Sequence, residues 1–255
     1  MNKKIKVVIA AGGTGGHVFP GVNLAKHLID SNYVVELVTD KRGQRFLKNL
    51  QKINVTLLPS APFLINNIFR LLFFPLFIFY SVLRSIFFLM LKKPNLVFGM
   101  GGYASFPICI AASILKIKFI IYENNLILGK SNKYLLPFSN RIFVSYKDLE
   151  GVHEKFQHKV IEIGNILKKE IINFSKINSE NEVLRRLDIL VLGGSQAAKV
   201  FAEILPNIFY ECSKKGVNLK IYQHCLAKQN DKLKIFYERR NINYELFNFS
   251  NNLIE

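Results

Sequence analysis

Several residue types and spacings that mark common classes of protein are scarce or missing in this sequence. Its 255 residues include no tryptophan and only three cysteines, which lie far apart. Three scattered cysteines do not form a disulfide framework, and no CxxC or Cys/His cluster has the spacing of metal ligands, so we expect a reducing compartment and no metal. No nucleic-acid-binding motif is present, and we expect no nucleic-acid partner.

Acidic residues are also scarce. Lys and Arg number 35 against 18 Asp and Glu, a formal net charge of +17, and no acidic residue lies between Lys41 and Tyr122. Such a charge favours an anionic partner, either a phosphorylated ligand, an acidic lipid or nucleic acid. An AT-rich codon bias is an alternative source of the total charge. It explains the acid-free window less well, because Glu codons are also AT-rich.

Uninterrupted apolar runs long enough to span a bilayer are missing, with a near exception from Phe63 to Leu91. Only 13 residues separate Arg70 from Arg84, and about 20 Å of helix is shorter than the roughly 30 Å hydrocarbon core of a bilayer. Pro75 predicts a kink. At 100° per residue one polar stripe holds Asn66, Asn67, Arg70, Ser81, Arg84 and Ser85. This stripe beside a Leu, Ile and Phe face predicts a helix pair lying in the membrane interface. An ordinary buried helix is the alternative. The residues predicted to contact the membrane are Arg70, Phe73, Phe77, Arg84 and Phe87.

The rest of the chain alternates strand-like apolar runs with helical stretches, and half of its residues are apolar. This alternation predicts an α/β fold with parallel sheets covered by helices. The predicted strands are Lys6–Ala10, Val34–Thr39, Val55–Pro59, Asn95–Met100, Phe119–Tyr122, Arg141–Ser145, Val160–Gly164, Asp188–Leu192, Leu219–Tyr222 and Tyr244–Phe247. The predicted helices include Val18–Ser31, Arg42–Leu50 and Ile108–Leu115.

A polar stretch divides the chain into two parts that begin alike. The pattern of a strand, two glycines and a helix opens the chain and recurs after Ser175–Arg186. We therefore predict two Rossmann-like doubly wound domains facing a cleft, with an N-terminal domain at 1–172, a linker at 173–186 and an incomplete second domain at 187–255.

Glycines follow three of the predicted strands directly. They lie in AAGGTGGHVFP (Ala10–Pro20), FGMGGYASFP (Phe98–Pro107) and LVLGGSQAAK (Leu190–Lys199). Free N–H groups at such a corner, together with the positive end of a helix, favour a phosphate or diphosphate, although a tight structural turn is the alternative. Asp40 lies where a ribose-binding acid of a dinucleotide site would lie, but the glycine spacing is not GxGxxG, which disfavours an NAD-dependent oxidoreductase.

Two titratable residues are candidates for acid–base chemistry. His17 follows the first glycine turn, and a histidine that titrates near neutrality suits a general base; a loop-holding role is the alternative. Glu123 follows a buried strand and is predicted to act as a base, a hydroxyl orienter or a helix cap. No second carboxylate pairs with it in the sequence, so a two-carboxylate hydrolase is not indicated.

Together these motifs resemble those of glycosyltransferase family 28. The matching pieces are GGTGGHVFPG at Gly12–Gly21, GMGGYASFP at Gly99–Pro107, ENN at Glu123–Asn125 with Asn132 and Lys133 after it, GN at Gly164–Asn165, and GGSQ at Gly193–Gln196. Each piece is weak alone, but five in order at family-like spacing are specific. The resemblance covers the whole chain, which corresponds to about the first 70% of the family pattern.

The resemblance implies a GT-B fold and an inverting transfer of N-acetylglucosamine from UDP-GlcNAc to undecaprenyl-pyrophosphoryl-MurNAc-pentapeptide (lipid I), which forms lipid II for peptidoglycan synthesis. It implies no cofactor, an anionic inner-leaflet membrane surface as partner, and a peripheral location on the cytoplasmic face of the bacterial inner membrane. His17 is the first candidate base and Glu123 the second. The implied substrate-binding residues are Thr14, Gly15, Gly16, Gly101, Gly102, Tyr103, Asn125, Lys168, Ser195, Gln196 and Ser250.

Departures from the family pattern concern the donor side. The usual GNPxR reads GNILK here, and Lys168 cannot reproduce the bidentate phosphate contact of an arginine. The usual GGSQGA reads GGSQAA, so Ala197 is expected to crowd the helix start. Family donor motifs beyond Phe249 are not found in the sequence. We therefore expect the chain alone to transfer little sugar, and the alternative is a split or truncated chain that binds the lipid-linked diphosphate without catalysis.

Overall fold

The computed structural model describes residues 4–47, 53–60, 68–174, 186–193 and 195–248, with the backbone alone at 68–73, 174 and 195–198. The chain forms two compact units, Met1–Ile172 and Asn173–Glu255. Most of the predicted linker lies outside the described residues.

The first unit is built on a seven-stranded sheet in which all paired strands are parallel. Its order is β3-β2-β1-β4-β5-β6-β7, and the order reverses direction between β1 and β4, the kind of switch point at which ligands bind in open α/β sheets. The strands are β1 (Lys6–Ala10), β2 (Val34–Thr39), β3 (Asn54–Leu57), β4 (Leu96–Gly99), β5 (Phe119–Glu123), β6 (Arg141–Val144) and β7 (Val160–Glu162). The helices are α1 (Gly15–Asp30), α2 (Lys41–Gln44), α3 (Ile68–Lys92), α4 (Gly102–Ile114), α5 (Lys130–Leu135) and α6 (Lys169–Phe174), with a 3-10 helix at Glu154–Lys159.

Hydrophobic cores lie on both faces of this sheet, as a parallel sheet requires. On one face Val18, Val22 and Ala25 of α1 pack against Ile9 and Leu37. The other face is covered by apolar side chains of α3 and α4, with Val8 and Val97 beneath them. The near-continuous apolar runs of β1 and β4 follow from burial on both faces.

The second unit repeats the start of the first. Its parallel three-stranded sheet has the order β10-β9-β8, which corresponds to β3-β2-β1. The strands are β8 (Leu187–Val191), β9 (Leu219–His224) and β10 (Asn243–Phe247), and they alternate with α7 (Ser195–Lys214) and α8 (Asn230–Glu238), preceded by a 3-10 turn at Ala227–Gln229. The predicted α/β class with parallel strands is confirmed.

Two helices, α2 and α4, differ from their predicted bounds by more than one turn. Helix α2 spans Lys41–Gln44 and is followed by a turn at Arg45 and Phe46. The predicted helix from Arg42 to Leu50 is therefore confirmed at 42–44 and wrong at 45–47, and its last three residues lie outside the described chain. Helix α4 begins at Gly102, earlier than Ile108, because the positive φ angles of Gly101 and Gly102 turn the chain directly into the helix.

Helix α3 is one continuous helix across Pro75, not the predicted pair. The predicted stripe does not form one exposed face: Arg84 is exposed, whereas Ser81 and Ser85 are 1% exposed. The two serine hydroxyls donate to the carbonyls of Phe77 and Ser81. Because each hydroxyl is satisfied within the helix, both serines can pack inward, where α3 meets α4.

The outward face of α3 is consequently apolar. Leu76, Phe79, Tyr80, Leu83, Phe87, Met90 and Leu91 are each 47–66% exposed, and Phe77 is 38% exposed. Arg84 is exposed beside them, while the side chains of Arg70 and Phe73 are outside the described set. Phe74–Lys92 is long and apolar enough to cross a membrane by length and composition, and 28% of it is buried inside the protein.

Candidate functional site

A pocket of about 200 Å³ lies at the carboxyl ends of β4 and β5. Residues from α1, α4, the end of β5 and the start of α5 meet there because parallel strands end at one edge of the sheet. The lining residues are His17, Gly102, Tyr103, Glu123, Asn125, Gly129, Lys130, Ser131 and Asn132. Five of them were predicted as site residues: His17, Gly102, Tyr103, Glu123 and Asn125.

The two glycine corners meet through the ring of His17. Gly101 and Gly102 have φ angles of +83° and +70°, and a Cβ at Gly102 would lie 2.9 Å from Cδ2 of His17 and 3.3 Å from the carbonyl oxygen of Gly12. A Cβ at Gly101 would lie 3.2 Å from Nδ1 of His17. Only glycine accommodates both this backbone conformation and the imidazole, so the second corner sets the position of the histidine.

His17 has the electrostatic surroundings of a neutral imidazole. Burial lowers its pKa below the usual 6.5, and the negative charge of Glu123 and a hydrogen bond with the backbone of Met100 oppose this shift only in part. Its Nδ1 is buried and has no hydrogen-bond partner in the described part of the protein. A neutral imidazole that lines a pocket has the properties required to accept a proton from a bound hydroxyl.

Glu123 organises the loop that closes the pocket. Its side chain is buried and accepts four hydrogen bonds: from the backbone N and Nδ2 of Asn125 at 3.2 and 2.7 Å, from the backbone N of Gly129 at 2.9 Å, and from Nδ2 of Asn132 at 2.9 Å. With both oxygens occupied, this geometry favours the orienting and capping roles over proton transfer.

Asp40 stabilises the first glycine corner. It accepts hydrogen bonds from the backbone N atoms of Gly13 and Gly43 at 2.9 and 2.8 Å, from two guanidinium nitrogens of Arg42, and from the Ser60 hydroxyl. Burial opposes ionisation, but these donors outweigh it and lower the pKa of Asp40. The carboxylate is thus engaged within the protein and not presented to a ribose, which disfavours the dinucleotide alternative.

Ser131 and Asn132 are pocket residues that the prediction of site residues missed. The Ser131 hydroxyl and Oδ1 of Asn132 are buried, line the pocket and have no hydrogen-bond partner among the described residues. Nδ2 of Asn132 donates to Glu123 and to the Tyr122 carbonyl, so Oδ1 is the side-chain atom of Asn132 whose capacity to accept a hydrogen bond is left unused. The signal was a polar KSN sequence directly after a buried strand and loop.

Residues of the first glycine turn lie beside the pocket without lining it. Thr14 is the N-cap of α1, is exposed, and its side chain caps no backbone N–H. Gly16 is exposed, and its carbonyl oxygen accepts from Nδ2 of Asn124 at 3.2 Å. Gly15 packs against Phe19, whose Cε2 would lie 2.8 Å from an added Cβ. This turn offers an exposed hydroxyl and backbone next to the histidine.

Lys168 lies apart from the pocket. It lines a different cavity of about 230 Å³ together with Asn23, Lys26 and His27 from the later turns of α1. The segment before it is fastened to α1 because His27 Nε2 bonds the Leu167 carbonyl at 2.9 Å. The structure therefore does not bring Lys168 and His17 into one described site.

The remaining predicted residues are described less fully. Ser195 begins helix α7, directly after the glycines that follow β8, and Gln196 is the next residue; only their backbone is described. Ser250 lies outside the described residues. Within the described ranges, no group of three or more His, Cys, Asp or Glu residues could hold a metal ion.

Comparisons with known proteins match both units. The Glycosyltransferase family 28 N-terminal domain matches residues 7–144, and the Glycosyltransferase family 28 C-terminal domain matches residues 188–255. A Pelagibacter ubique protein is 37% identical over all of this chain and 69% of its own length, and a Rickettsia felis protein is 34% identical over 97% of this chain and 69% of its own. Both relatives are named UDP-N-acetylglucosamine–N-acetylmuramyl-(pentapeptide) pyrophosphoryl-undecaprenol N-acetylglucosamine transferase.

A solved structure has the same fold. The crystal structure of Acinetobacter baumannii MurG superimposes with a TM-score of 0.73 at 24% identity, over 97% of this chain and 67% of that one. At this identity the likeness bears on the fold alone, and the predicted GT-B class is confirmed.

Proposed function

Because the chain belongs to glycosyltransferase family 28, we propose that it transfers N-acetylglucosamine from UDP-GlcNAc to lipid I and so forms lipid II. The observation that carries the proposal is the 37% identity, along the whole chain, to a relative named for this transfer. Lipid II would then serve peptidoglycan synthesis, and through it cell-wall growth, cell shape and division.

His17 is the general base of this proposal. The acceptor hydroxyl of lipid I would lie in the pocket, lose its proton to the imidazole, and attack the anomeric carbon of the donor with inversion. The bond from that carbon to UDP breaks as the new glycosidic bond forms. Because its pKa is lowered, the ring of His17 is unprotonated at neutral pH and can accept a proton.

The second glycine corner is the proposed seat of the acceptor diphosphate. Helix α4 begins at Gly102, which lines the pocket. The N-terminus of a 13-residue helix favours an anion, and Lys130 lines the same pocket. Glu123, through its bonds to Asn125, Gly129 and Asn132, holds the opposite wall.

The residues matched to the family's nucleotide-sugar positions remain proposals for the donor. These are Thr14, Gly15, Gly16, Asn125, Lys168, Ser195 and Ser250, and Gln196, which follows Ser195 in the GGSQ motif, is proposed as a substrate contact beside them. In the described geometry Thr14 and Gly16 present exposed polar groups beside His17, which supports a donor contact there. UDP would leave stabilised by backbone N–H groups instead of a metal.

The outward face of α3 is the proposed membrane contact. Its exposed apolar side chains, with Arg84 among them and Lys92 at its end, suit the interface of an anionic inner leaflet, so the protein would be peripheral on the cytoplasmic side. We expect binding to anionic vesicles that weakens with salt and on Arg70→Glu with Arg84→Glu. Equal binding to neutral vesicles would contradict this part of the proposal.

The transfer itself is tested with radiolabelled UDP-GlcNAc and lipid I in detergent micelles, together with equilibrium binding of lipid I. We expect lipid I to bind and lipid II to form slowly, and His17→Ala to abolish transfer while leaving the chain folded. Binding without transfer would support the acceptor-binding alternative. Absence of both would overturn the proposal.

The pH profile is a second test of the base. A neutral His17 is required, so kcat/KM should fall on the acid side with a midpoint below 6.5, the usual value for histidine. Folding favours the neutral ring as well, so the stability that His17 contributes is present above pH 6.5 and falls as pH drops toward its lowered pKa. An acid limb above 6.5 would point to another base.

A further inference from the structure

An apolar groove lies on the first unit, beside the pocket but outside it. Its volume is about 510 Å³, and it is lined by Phe74, Pro75, Ile78, Phe79 and Val82 of α3, Phe106 of α4 and Tyr134 of α5. None of these side chains carries a formal charge. Concave apolar sites of this size are typical of small-molecule binding.

The groove and the pocket share two helices in the same register. On α4, Gly102 lines the pocket and Phe106 lines the groove; on α5, Lys130 lines the pocket and Tyr134 lines the groove. Residues four apart lie on one face of a helix, about 6 Å along its axis. On both helices the groove residue therefore lies about one turn beyond the pocket residue, on the same face.

This arrangement matches a ligand with a diphosphate head and an apolar branched tail. We propose that the groove seats the isoprene units nearest the diphosphate of the acceptor, an inference that rests on the proposed function because it assigns the tail of that same substrate. The pocket holds the polar head, and the first isoprene units run along α4 and α5 toward α3.

The groove overlaps the proposed membrane contact of α3 at Phe79 but extends away from it along α4 and α5. The exposed side chains Leu83, Phe87 and Met90 do not line it. A bilayer covers protruding side chains, whereas a concave groove takes a chain that enters it. Phe79 and Phe87 are a matched pair for comparing the groove with the membrane contact. Both are phenylalanines of α3, and they are 62% and 61% exposed, but only Phe79 lines the groove.

The test measures binding of farnesyl diphosphate and of inorganic pyrophosphate to the full chain by calorimetry, below the micelle concentration and without donor. We expect the farnesyl chain to tighten binding by about tenfold or more over pyrophosphate. Phe79→Gln should remove about tenfold of the farnesyl diphosphate affinity and leave pyrophosphate within about twofold. Phe87→Gln, the matched control, should change neither. Val82→Phe, which fills the groove without adding polarity, should act like Phe79→Gln.

Binding to anionic vesicles without prenyl ligand completes the design. The proposal is overturned if farnesyl diphosphate binds no better than pyrophosphate, or if Phe79→Gln and Phe87→Gln weaken its binding equally. It is also overturned if Phe79→Gln weakens vesicle binding alone, because the groove would then belong to the bilayer contact. No sugar transfer enters these measurements, so a chain that fails to make lipid II but passes them would refute the proposed function and keep the groove.

Discussion

The two units begin with the same local pattern but bury it to different extents. In the first unit β1 pairs with β2 on one side and β4 on the other, and four of its five residues are buried. In the second unit β8 pairs with β9, and within its described residues burial is confined to Val191. The shared pattern of a strand, glycines and a helix therefore predicts the turn, but it does not predict how much of the strand is buried.

The helices after these strands differ in the same way. Helix α1 packs Val18, Val22 and Ala25 into the core. Helix α7 has Val200, Ile204 and Ile208 at four-residue spacing, and they are 47%, 54% and 48% exposed. This difference shows that a strand from later in the sequence contributes to burial. In the first unit β4 pairs with β1, with Leu96 opposite Val7. Among the described residues of the second unit, no strand pairs with β8 in the equivalent place.

The largest expected difference in stability is between a lysine placed on α1 and a lysine placed on α7. Val22→Lys, at a position 7% exposed, should destabilise the first unit by about 4 kcal/mol, because the ammonium has no buried partner. Ile204→Lys on α7 should change stability by less than about 0.5 kcal/mol. Urea unfolding followed by circular dichroism measures both. A large loss for Ile204→Lys would mean that the α7 face is covered in solution, and the contrast between the units would fail.

A methyl group at the second glycine corner should have the next largest effect. Gly102→Ala combines a positive φ with contact on His17 and the Gly12 carbonyl, and should cost about 3 kcal/mol and abolish transfer. Gly151→Ala is the control: its φ is +87°, and the nearest atom would be Leu128 Cβ at 3.5 Å. The control should cost only about 1 kcal/mol. Equal losses would show that packing against the histidine contributes nothing.

Removing the charge of Asp40 should have a smaller effect, which depends on pH. Asp40→Asn should destabilise the first unit by about 2 kcal/mol at neutral pH, because bonds to Arg42 and two backbone N–H groups weaken. The stability from a lowered carboxyl pKa is present above the usual 3.8 and is lost as pH falls through the lowered value. The gap between variant and wild type should therefore narrow below about pH 4.

The exposed pair of the second unit provides the control for Asp40. Asp188 is bonded to Arg186 at the surface, where ion pairs contribute little to stability. Asp188→Asn should give no measurable change in the unfolding curve at any pH. If it destabilises the chain as much as Asp40→Asn, burial is not what distinguishes the two carboxylates.

The smallest expected effect is a loss of lipid I binding with no loss of stability. Ser131→Ala removes a pocket hydroxyl that has no described partner, so lipid I binding should weaken about fivefold and stability should not fall. Ser139→Ala is the opposite control, because its buried hydroxyl donates to the Leu136 carbonyl at 3.0 Å outside the pocket. It should reduce stability and leave binding unchanged. If Ser131→Ala lowers stability and leaves lipid I binding unchanged, Ser131 does not contact the ligand.

Much of the fold followed from the sequence because burial on both sheet faces leaves a clear apolar signal. The strands Lys6–Ala10 and Val34–Thr39 have the predicted bounds. The orientation of α3 did not follow, since serines that satisfy their hydroxyls within the helix can face inward as readily as apolar residues. The short helix α5 also lacked a periodic signal in KSNKYL.

The candidate site was predictable residue by residue but not as an arrangement. His17 was located by the glycines before it and Glu123 by the end of a buried strand, and both residues line one pocket. That the imidazole lies against Gly102, and that Glu123 is engaged by four donors, depends on contacts between segments distant in sequence. Ser131 was missed for the same reason.

The inward-facing serines of α3 have a practical consequence for handling the protein. With these two serines turned inside, the exposed apolar surface of the helix is available to bind any amphiphile that the buffer contains. An amphiphile that covers the folded helix and not the unfolded chain stabilises the folded state by mass action. The apparent melting temperature should therefore rise with detergent concentration, and values measured in different detergents are not comparable unless that concentration is held constant.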